Sequence, residues 1–254
     1  MAEKTKVLIG TPSYDGKLDV YYIDSLLNTL STAEKNNIDV YPLFICYDSL
    51  IQRARNDLFK AAHDNNIDIL FFIDGDIGWN PQDFYKLVHS DKDIIGGSYR
   101  KKTDNEELYV VKALDKDNSK LNLNVDENGI LEVAGLGCGF MKISRKAINA
   151  LWDISKPYTS EKGDARMVFE VVCEDNDLIS EDIYMCKKWR NLGNSVYLDT
   201  KITCSHTGTK TFFGDVGKWI NSFRKTETYD SQSPTDIAKY FSKADNDDDF
   251  KVIV

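Results

Sequence analysis

The stretch that runs from residue 67 to residue 81 constrains the fold of this chain more than any other. An apolar run with a single acid in it, Ile67 to Phe72, predicts a buried strand. Asp74 and Asp76 follow where that strand should end. Asn80 and Pro81 then suit the N-cap and the first position of a helix, so a returning hairpin strand is not expected. The segment therefore predicts a strand, an acidic turn and a helix, in that order.

The two acids of the turn are spaced for a shared role. Residues i and i+2 of a strand point the same way, so Asp74 and Asp76 can converge on one point. Two such charges repel unless a cation lies between them. Oxygen ligands at this position favour Mg²⁺ or Mn²⁺, ions that usually carry phosphates. The alternative is a plain turn, because Asp-Gly-Asp is also ordinary turn chemistry.

The first part of the chain alternates strands and helices. Strands are predicted at 6–10, 40–46 and 67–72, and helices at 20–35 and from 49 to about 63. Ile23, Leu26, Leu27 and Leu30 form the expected apolar face of the first helix. This order predicts an α/β fold with a Rossmann-like, mostly parallel central sheet flanked by helices. Ligands of such sheets gather at the carboxyl ends of the strands.

The later part of the chain is less regular. Strands at 108–114 and 130–133 predict a small antiparallel region, and a helix is expected from Ser180 to Leu192. The 254 residues suffice for one large core, and no linker interrupts them. We predict a single domain over residues 1–228. A polar, acidic tail with a short helix is expected over residues 229–254.

Composition narrows the class of protein. The formal net charge of −9 disfavours broad nucleic-acid binding, and the five scattered cysteines indicate neither a zinc site nor a disulfide framework. No stretch reaches the roughly 18 apolar residues of a membrane span, and the N-terminus lacks a signal-peptide core. The expected location is the cytoplasm.

Four short segments together resemble the metal-dependent glycosyltransferases of the GT-A fold, which carry a DxD motif. They are 11–14 (Thr-Pro-Ser-Tyr), 73–76 (Ile-Asp-Gly-Asp), 180–182 (Ser-Glu-Asp) and 206–208 (His-Thr-Gly). The compact form is similar to bacterial and viral members, so a viral protein would act in the host cytoplasm. The resemblance implies transfer of a sugar from a UDP- or GDP-type donor to an acceptor hydroxyl, with inversion at the sugar. The acceptor is left open among glycans, other hydroxyl-bearing substrates and modified DNA.

The resemblance also implies a metal site. Asp76 matches the acid that usually ligates the ion. Asp74 belongs to the same metal site and matches the acid that more often contacts the ribose or a metal-bound water. His206 matches a histidine that often completes the site, and its imidazole suits Mn²⁺ better than Mg²⁺. The alternative for His206 is a core or loop histidine.

Further roles follow from the same resemblance. Asp182 matches the general base, with Glu181 as the second candidate, although acids in the first turn of a helix also simply stabilise it. The nucleotide would lie against the loop from Thr11 through Pro12, Tyr14 and Asp15, whose residues are otherwise ordinary turn residues. Three further residues complete the set: Arg55 for the diphosphate, Arg100 for a phosphate or an anionic acceptor, and Gly137 for the donor sugar and acceptor.

Two other functions remain open from the sequence. A nucleotidyltransferase also uses paired carboxylates and Mg²⁺, but it typically needs a phosphate loop rich in glycine and lysine, which residues 11–16 do not supply. A non-catalytic module that binds nucleotides or glycans is the other alternative.

The two lysines that follow Arg100, Lys101 and Lys102, are expected to lie in a solvated loop.

Overall fold

The computed structural model describes residues 4–103, 108–116, 120–122, 125–160 and 162–208. Its helices are α1 Val20–Thr32, α2 Ile51–Asp64, α3 Pro81–Val88, α4 Arg145–Ile154 and α5 Glu181–Asn191, with a 3₁₀ turn at Glu34–Asn36. Its strands are β1 Thr5–Ser13, β2 Ile38–Cys46, β3 Ile69–Ile73, β4 Ile77–Gly78, β5 Ile94–Tyr99, β6 Val111–Lys112, β7 Leu114–Lys116, β8 Lys120–Asn122, β9 Ile130–Val133, β10 Gly135–Leu136, β11 Phe140–Ser144, β12 Pro157–Ser160, β13 Gly163–Arg166, β14 Val172–Glu174, β15 Asp177–Ile179 and β16 Val196–His206.

An eight-stranded sheet forms the centre of the unit that the structure describes. Its order is β2-β1-β3-β11-β5-β16-β4, and β9 pairs with β16 beside this path. Strands β1, β2, β3, β5 and β16 run in one direction, whereas β11, β4 and β9 run against them. The other strands form small two-stranded antiparallel sheets. The predicted fold class, α/β with a mostly parallel central sheet and a smaller antiparallel region, is confirmed.

The sheet carries helices on both faces because its strands alternate. Leu70 and Phe72 of β3 pack into a core with α2, α4 and α5, whereas Ile69, Phe71 and Ile73 pack into a second core with α1 and α3. Successive side chains of a strand point to opposite faces, so a continuous apolar run serves two cores.

The buried face of α1 differs from the one expected. Leu27 is 61% exposed, while Tyr22, Ser25, Leu26 and Thr29 are buried. The physical reason is hydrogen bonding: Ser25 Oγ accepts from the Trp79 backbone N–H at 2.9 Å, and Thr29 Oγ1 accepts from the Trp79 indole at 3.0 Å. A partnered hydroxyl can lie in a core, so apolar spacing predicted the burial of Leu26 but missed that of Ser25 and Thr29.

The described residues belong to one compact unit that ends at Gly208. The predicted domain boundary at residue 228 and the predicted tail over residues 229–254 lie outside the described part of the chain. Within that part, no helix has the length and apolar character needed to cross a membrane.

Candidate functional site

The candidate site lies where the parallel strands end. Because β3, β5 and β16 run in the same direction, their carboxyl ends reach the same edge of the sheet. Asp74 and Asp76 follow β3, Lys102 follows β5, and His206 is the last residue of β16. This is the edge at which ligands of α/β sheets bind.

The acidic segment is a turn rather than an extension of the strand. Strand β3 ends at Ile73, and the Ile77 backbone N–H donates to the Asp74 carbonyl at 3.0 Å. Both acids therefore lie beyond the strand, so the alternation of strand side chains does not determine their directions. The helix expected after the turn is confirmed: α3 starts at Pro81, and Asn80 caps it.

Strand pairing brings His206 to Asp76. His206 of β16 lies opposite Ile77 of β4, the residue next to Asp76. The Thr207 backbone N–H donates to the Asp76 carbonyl at 2.9 Å. In this register Nε2 of His206 lies 3.5 Å from Oδ2 of Asp76. The carboxylate and the imidazole thus meet across two strands that are distant in the sequence.

The ring of His206 has a defined orientation. Its Nδ1 lies 2.6 Å from the backbone carbonyl oxygen of Arg100, and a carbonyl can only accept, so Nδ1 carries a proton. The Tyr99 ring packs edge-on against the imidazole at 5.1 Å between centroids. Burial lowers the pKa of His206, but the hydrogen bonds to Asp76 and to the Arg100 carbonyl raise it above its usual value. In the neutral form, the lone pair of Nε2 faces Asp76.

Asp76 has a second cationic neighbour, which the sequence analysis missed. Nζ of Lys102 lies 2.5 Å from Oδ2 of Asp76. Burial raises the pKa of Asp76, but hydrogen bonds from His206 and Lys102 bring it down to about 2. The signal that could have found Lys102 is its place just beyond a strand that ends at the same edge as β3.

A buried arginine links the acid that follows β3 to the first acid of α5. Arg55, 4% exposed, donates from Nη1 to Glu181 Oε1 at 2.5 Å and from Nη2 to Asp74 Oδ1 at 3.0 Å. Burial lowers the pKa of Arg55, but the charges of Asp74 and the other acidic neighbours raise it well above its usual value. The guanidinium predicted to face a diphosphate is therefore enclosed between two carboxylates.

Asp182 and Glu181 begin α5 beside this arginine. Asp182 Oδ1 accepts hydrogen bonds from the Ser180 hydroxyl and, at 2.8 Å, from the Ile183 backbone N–H. Burial raises the pKa of Glu181, and the charge of Arg55 opposes that rise. Both acids are buried on α5, with exposures of 9% for Asp182 and 8% for Glu181.

The residues predicted to hold the nucleotide differ in their exposure. Thr11 and Pro12 belong to β1 and are buried, because β1 pairs with β2 as far as Ser13. Tyr14 lies beyond the strand and is 73% exposed. Asp15 is also exposed, and it accepts from the Lys17 backbone N–H at 3.1 Å, which is the main reason that its pKa is lowered.

Gly137 and Arg100 lie close to the His206 side of the site. A Cβ at Gly137 would come within 2.5 Å of the Tyr99 hydroxyl, so that glycine lets the tyrosine pack closely. The same hydroxyl accepts from the Gly139 backbone N–H at 3.0 Å. Arg100 is exposed, and its carbonyl is the group that orients His206. Across the described part of the chain, no three or more His, Cys, Asp or Glu side chains form a group that could hold a metal ion.

No protein-family model and no curated protein matches the chain. A197 from STIV is similar with a TM-score of 0.49 and 19% identity, over 81% of this chain and 86% of that one. GalNAc-T7 with UDP, GalNAc and Mn²⁺ has a TM-score of 0.41 and 9% identity, over 80% of this chain and 44% of that one. The inositol-1-phosphate CTP transferase from T. maritima has a TM-score of 0.42 and 10% identity, over 87% of this chain and 96% of that one. All three scores are below 0.5, so these likenesses establish neither a family nor a function.

Proposed function

We propose that this protein is a metal-dependent glycosyltransferase that moves a sugar from a nucleoside-diphosphate sugar to an acceptor hydroxyl with inversion. The observation that carries the proposal is the 3.5 Å approach of His206 Nε2 to Asp76 Oδ2 at the carboxyl edge of the sheet. A carboxylate and an imidazole beside further acids form a suitable place for a divalent ion and a diphosphate.

The donor set fits Mn²⁺, with Mg²⁺ as the second choice. Asp76 offers an oxygen and His206 an imidazole nitrogen that is oriented by the Arg100 carbonyl. Two protein ligands suffice for an ion whose remaining positions are filled by substrate phosphates and water. When bound, such an ion supplies charge neutralisation for the departing nucleoside diphosphate.

Asp74 belongs to the proposed metal site in a supporting role. Both of its oxygens lie within 3.2 Å of Nη2 of Arg55, which holds the carboxylate toward α2. We assign Asp74 to the donor ribose or a metal-bound water. Arg55 is a positioning residue, because it fixes Asp74 and Glu181 against each other.

Asp182 is the proposed general base. Its two hydrogen bonds within the described residues both fall on Oδ1, so Oδ2 is the oxygen that we assign to the acceptor hydroxyl. Glu181 is a weaker candidate because Arg55 holds its carboxylate. Its burial beside Asp182 supports a role in shaping the acceptor side of the site.

The exposed turn after β1 is the proposed place for the nucleotide base. Tyr14 offers a free ring face for stacking, and Asp15 an acceptor for a base N–H. Thr11 and Pro12 would contribute through the shape of the strand end. We assign Arg100 to a donor phosphate or an anionic acceptor, and Gly137 to the donor-sugar side.

The test is a panel of UDP- and GDP-sugars incubated with the full chain and Mn²⁺, with release of nucleoside diphosphate as the readout. We expect hydrolysis of at least one donor, its loss in EDTA, and its loss in Asp76→Ala and His206→Ala. His89→Ala and Asp24→Asn, which change an exposed imidazole and an exposed acid elsewhere, should retain it.

Two outcomes would replace the proposal. Release of pyrophosphate from a nucleoside triphosphate would indicate a nucleotidyltransferase. Metal-dependent nucleotide binding without any turnover, across the panel and with added acceptors, would indicate a binding module.

A further inference from the structure

One contact at the candidate site is not explained by glycosyl transfer. The ammonium of Lys102 lies against Oδ2 of Asp76, which is the same oxygen that faces Nε2 of His206. The two atoms proposed as metal ligands therefore converge on a region that already contains a cation.

The path of the Lys102 side chain is specific. Its stem passes over Gly208, where a Cβ would lie 2.8 Å from Cδ of Lys102. A side chain at position 208 would require the stem to shift from this path. The glycine two residues after His206 therefore leaves room for the stem of Lys102 on its path to Asp76.

The surrounding charge explains why a cation is needed there. Asp74 is neutralised by Arg55, but that guanidinium is enclosed and also holds Glu181. Asp76 receives no hydrogen bond from Arg55 among the described contacts, so its charge is balanced by Lys102 and His206. A carboxylate with no counter-charge in this acidic region would be destabilising.

We propose that the ammonium of Lys102 is an internal cation that neutralises Asp76 when no divalent ion is bound, and that the ion binds by displacing it. This inference rests on the proposed function, since it assigns Asp76 and His206 to the ion. Its consequence is that Lys102 sets the metal affinity. The Asp76 carboxylate stays neutralised at low metal concentration, and the ion must compete with a tethered ammonium.

The experiment is a titration of the full chain with Mn²⁺ alone, in which free Mn²⁺ is measured by its EPR signal. We expect Lys102→Met to bind Mn²⁺ roughly fivefold more tightly than the wild type, which is the scale of a half-exposed ion pair. Lys101→Met removes the same charge from the neighbouring residue and should change the affinity less than about twofold.

A second variant separates displacement from net charge. Gly208→Ala keeps the charge of the protein but obstructs the Lys102 stem, so it should also tighten Mn²⁺ binding. Thermal melting of each variant checks that the fold is retained.

The outcomes are distinguishable. If the wild type and Lys102→Met bind Mn²⁺ equally well, or if Lys101→Met tightens Mn²⁺ binding as much as Lys102→Met, Lys102 is not an internal cation. Either result would leave the proposed function intact. Absence of Mn²⁺ binding in the wild type and in every variant would overturn both.

Discussion

The imidazole of His206 lies 3.5 Å from the carboxylate of Asp76, and the pairing of His206 with Ile77 across β16 and β4 produces that approach. The contact is a property of the sheet rather than of a loop, because both residues adjoin paired strands. A site that is built on strand ends is held more rigidly than one on loops alone.

Arg55 predicts a stability effect. Replacing Arg55 with Met leaves the buried ends of Asp74 and Glu181 without the cation that they share. Removing one partner of a buried ion pair costs about 3 kcal/mol or more, so the free energy of unfolding in urea should fall by that amount. Arg53→Met breaks an ion pair at an exposed guanidinium and should cost less than about 1 kcal/mol. Equal effects of the two changes would contradict the structural role of Arg55.

The proposed role of Asp182 as general base predicts that its loss lowers the transfer rate but not the affinity for the nucleoside diphosphate. Asp182→Asn keeps the size of the side chain but removes the base, so the rate of transfer to the acceptor should fall roughly 100-fold or more. Nucleoside-diphosphate affinity, measured by calorimetry, should stay within about twofold of the wild type. If Glu181→Gln lowers the rate further than Asp182→Asn while nucleotide affinity is unchanged, Glu181 is the base instead.

Tyr14 predicts an effect on the nucleotide alone. Its side chain is 73% exposed, so Tyr14→Ala should leave the melting temperature almost unchanged. The loss of a stacking partner should weaken nucleoside-diphosphate binding about fivefold, which corresponds to about 1 kcal/mol. Tyr41→Ala, which changes an exposed ring on β2, is the matched control. Equal affinities of Tyr14→Ala and the wild type would remove Tyr14 from the nucleotide site.

Lys142 predicts a dependence of stability on pH. It is 3% exposed, and burial lowers its pKa to about 8 from 10.5. Between those two values the unfolded chain binds the proton and the folded chain does not, so stability rises with pH across this window. Relative to Lys142→Met, the free energy of unfolding of the wild type should increase by roughly 1 kcal/mol per pH unit there. Parallel curves for the two proteins would show that Lys142 titrates normally.

The sequence predicted those elements that depend on interactions between neighbouring residues. The β3 run, the turn after it and the Asn80–Pro81 start of α3 depend on neighbours in the sequence, and all three were predicted. The end of β1 was misplaced, because its pairing with β2 continues through Thr11 and Pro12 to Ser13. No local signal reports how far a parallel partner extends.

Long-range contacts limited the prediction of the site. The contact of Lys102 with Asp76 depends on the order of β5, β16 and β4 in the sheet, and that order is not visible in either segment. The enclosure of Arg55 likewise depends on the arrival of Glu181 from α5. Sequence identified residue types suited to the chemistry, whereas tertiary pairing decided which of them meet.

The most direct measurement of the central claim is pulsed EPR of Mn²⁺ bound to the protein together with UDP. We expect ¹⁴N modulation from one imidazole in the wild type, its loss in His206→Gln, and its retention in His63→Gln. Modulation that persists unchanged in His206→Gln, or that is absent from the wild-type complex, would contradict the assignment of His206 and Asp76 as a metal site.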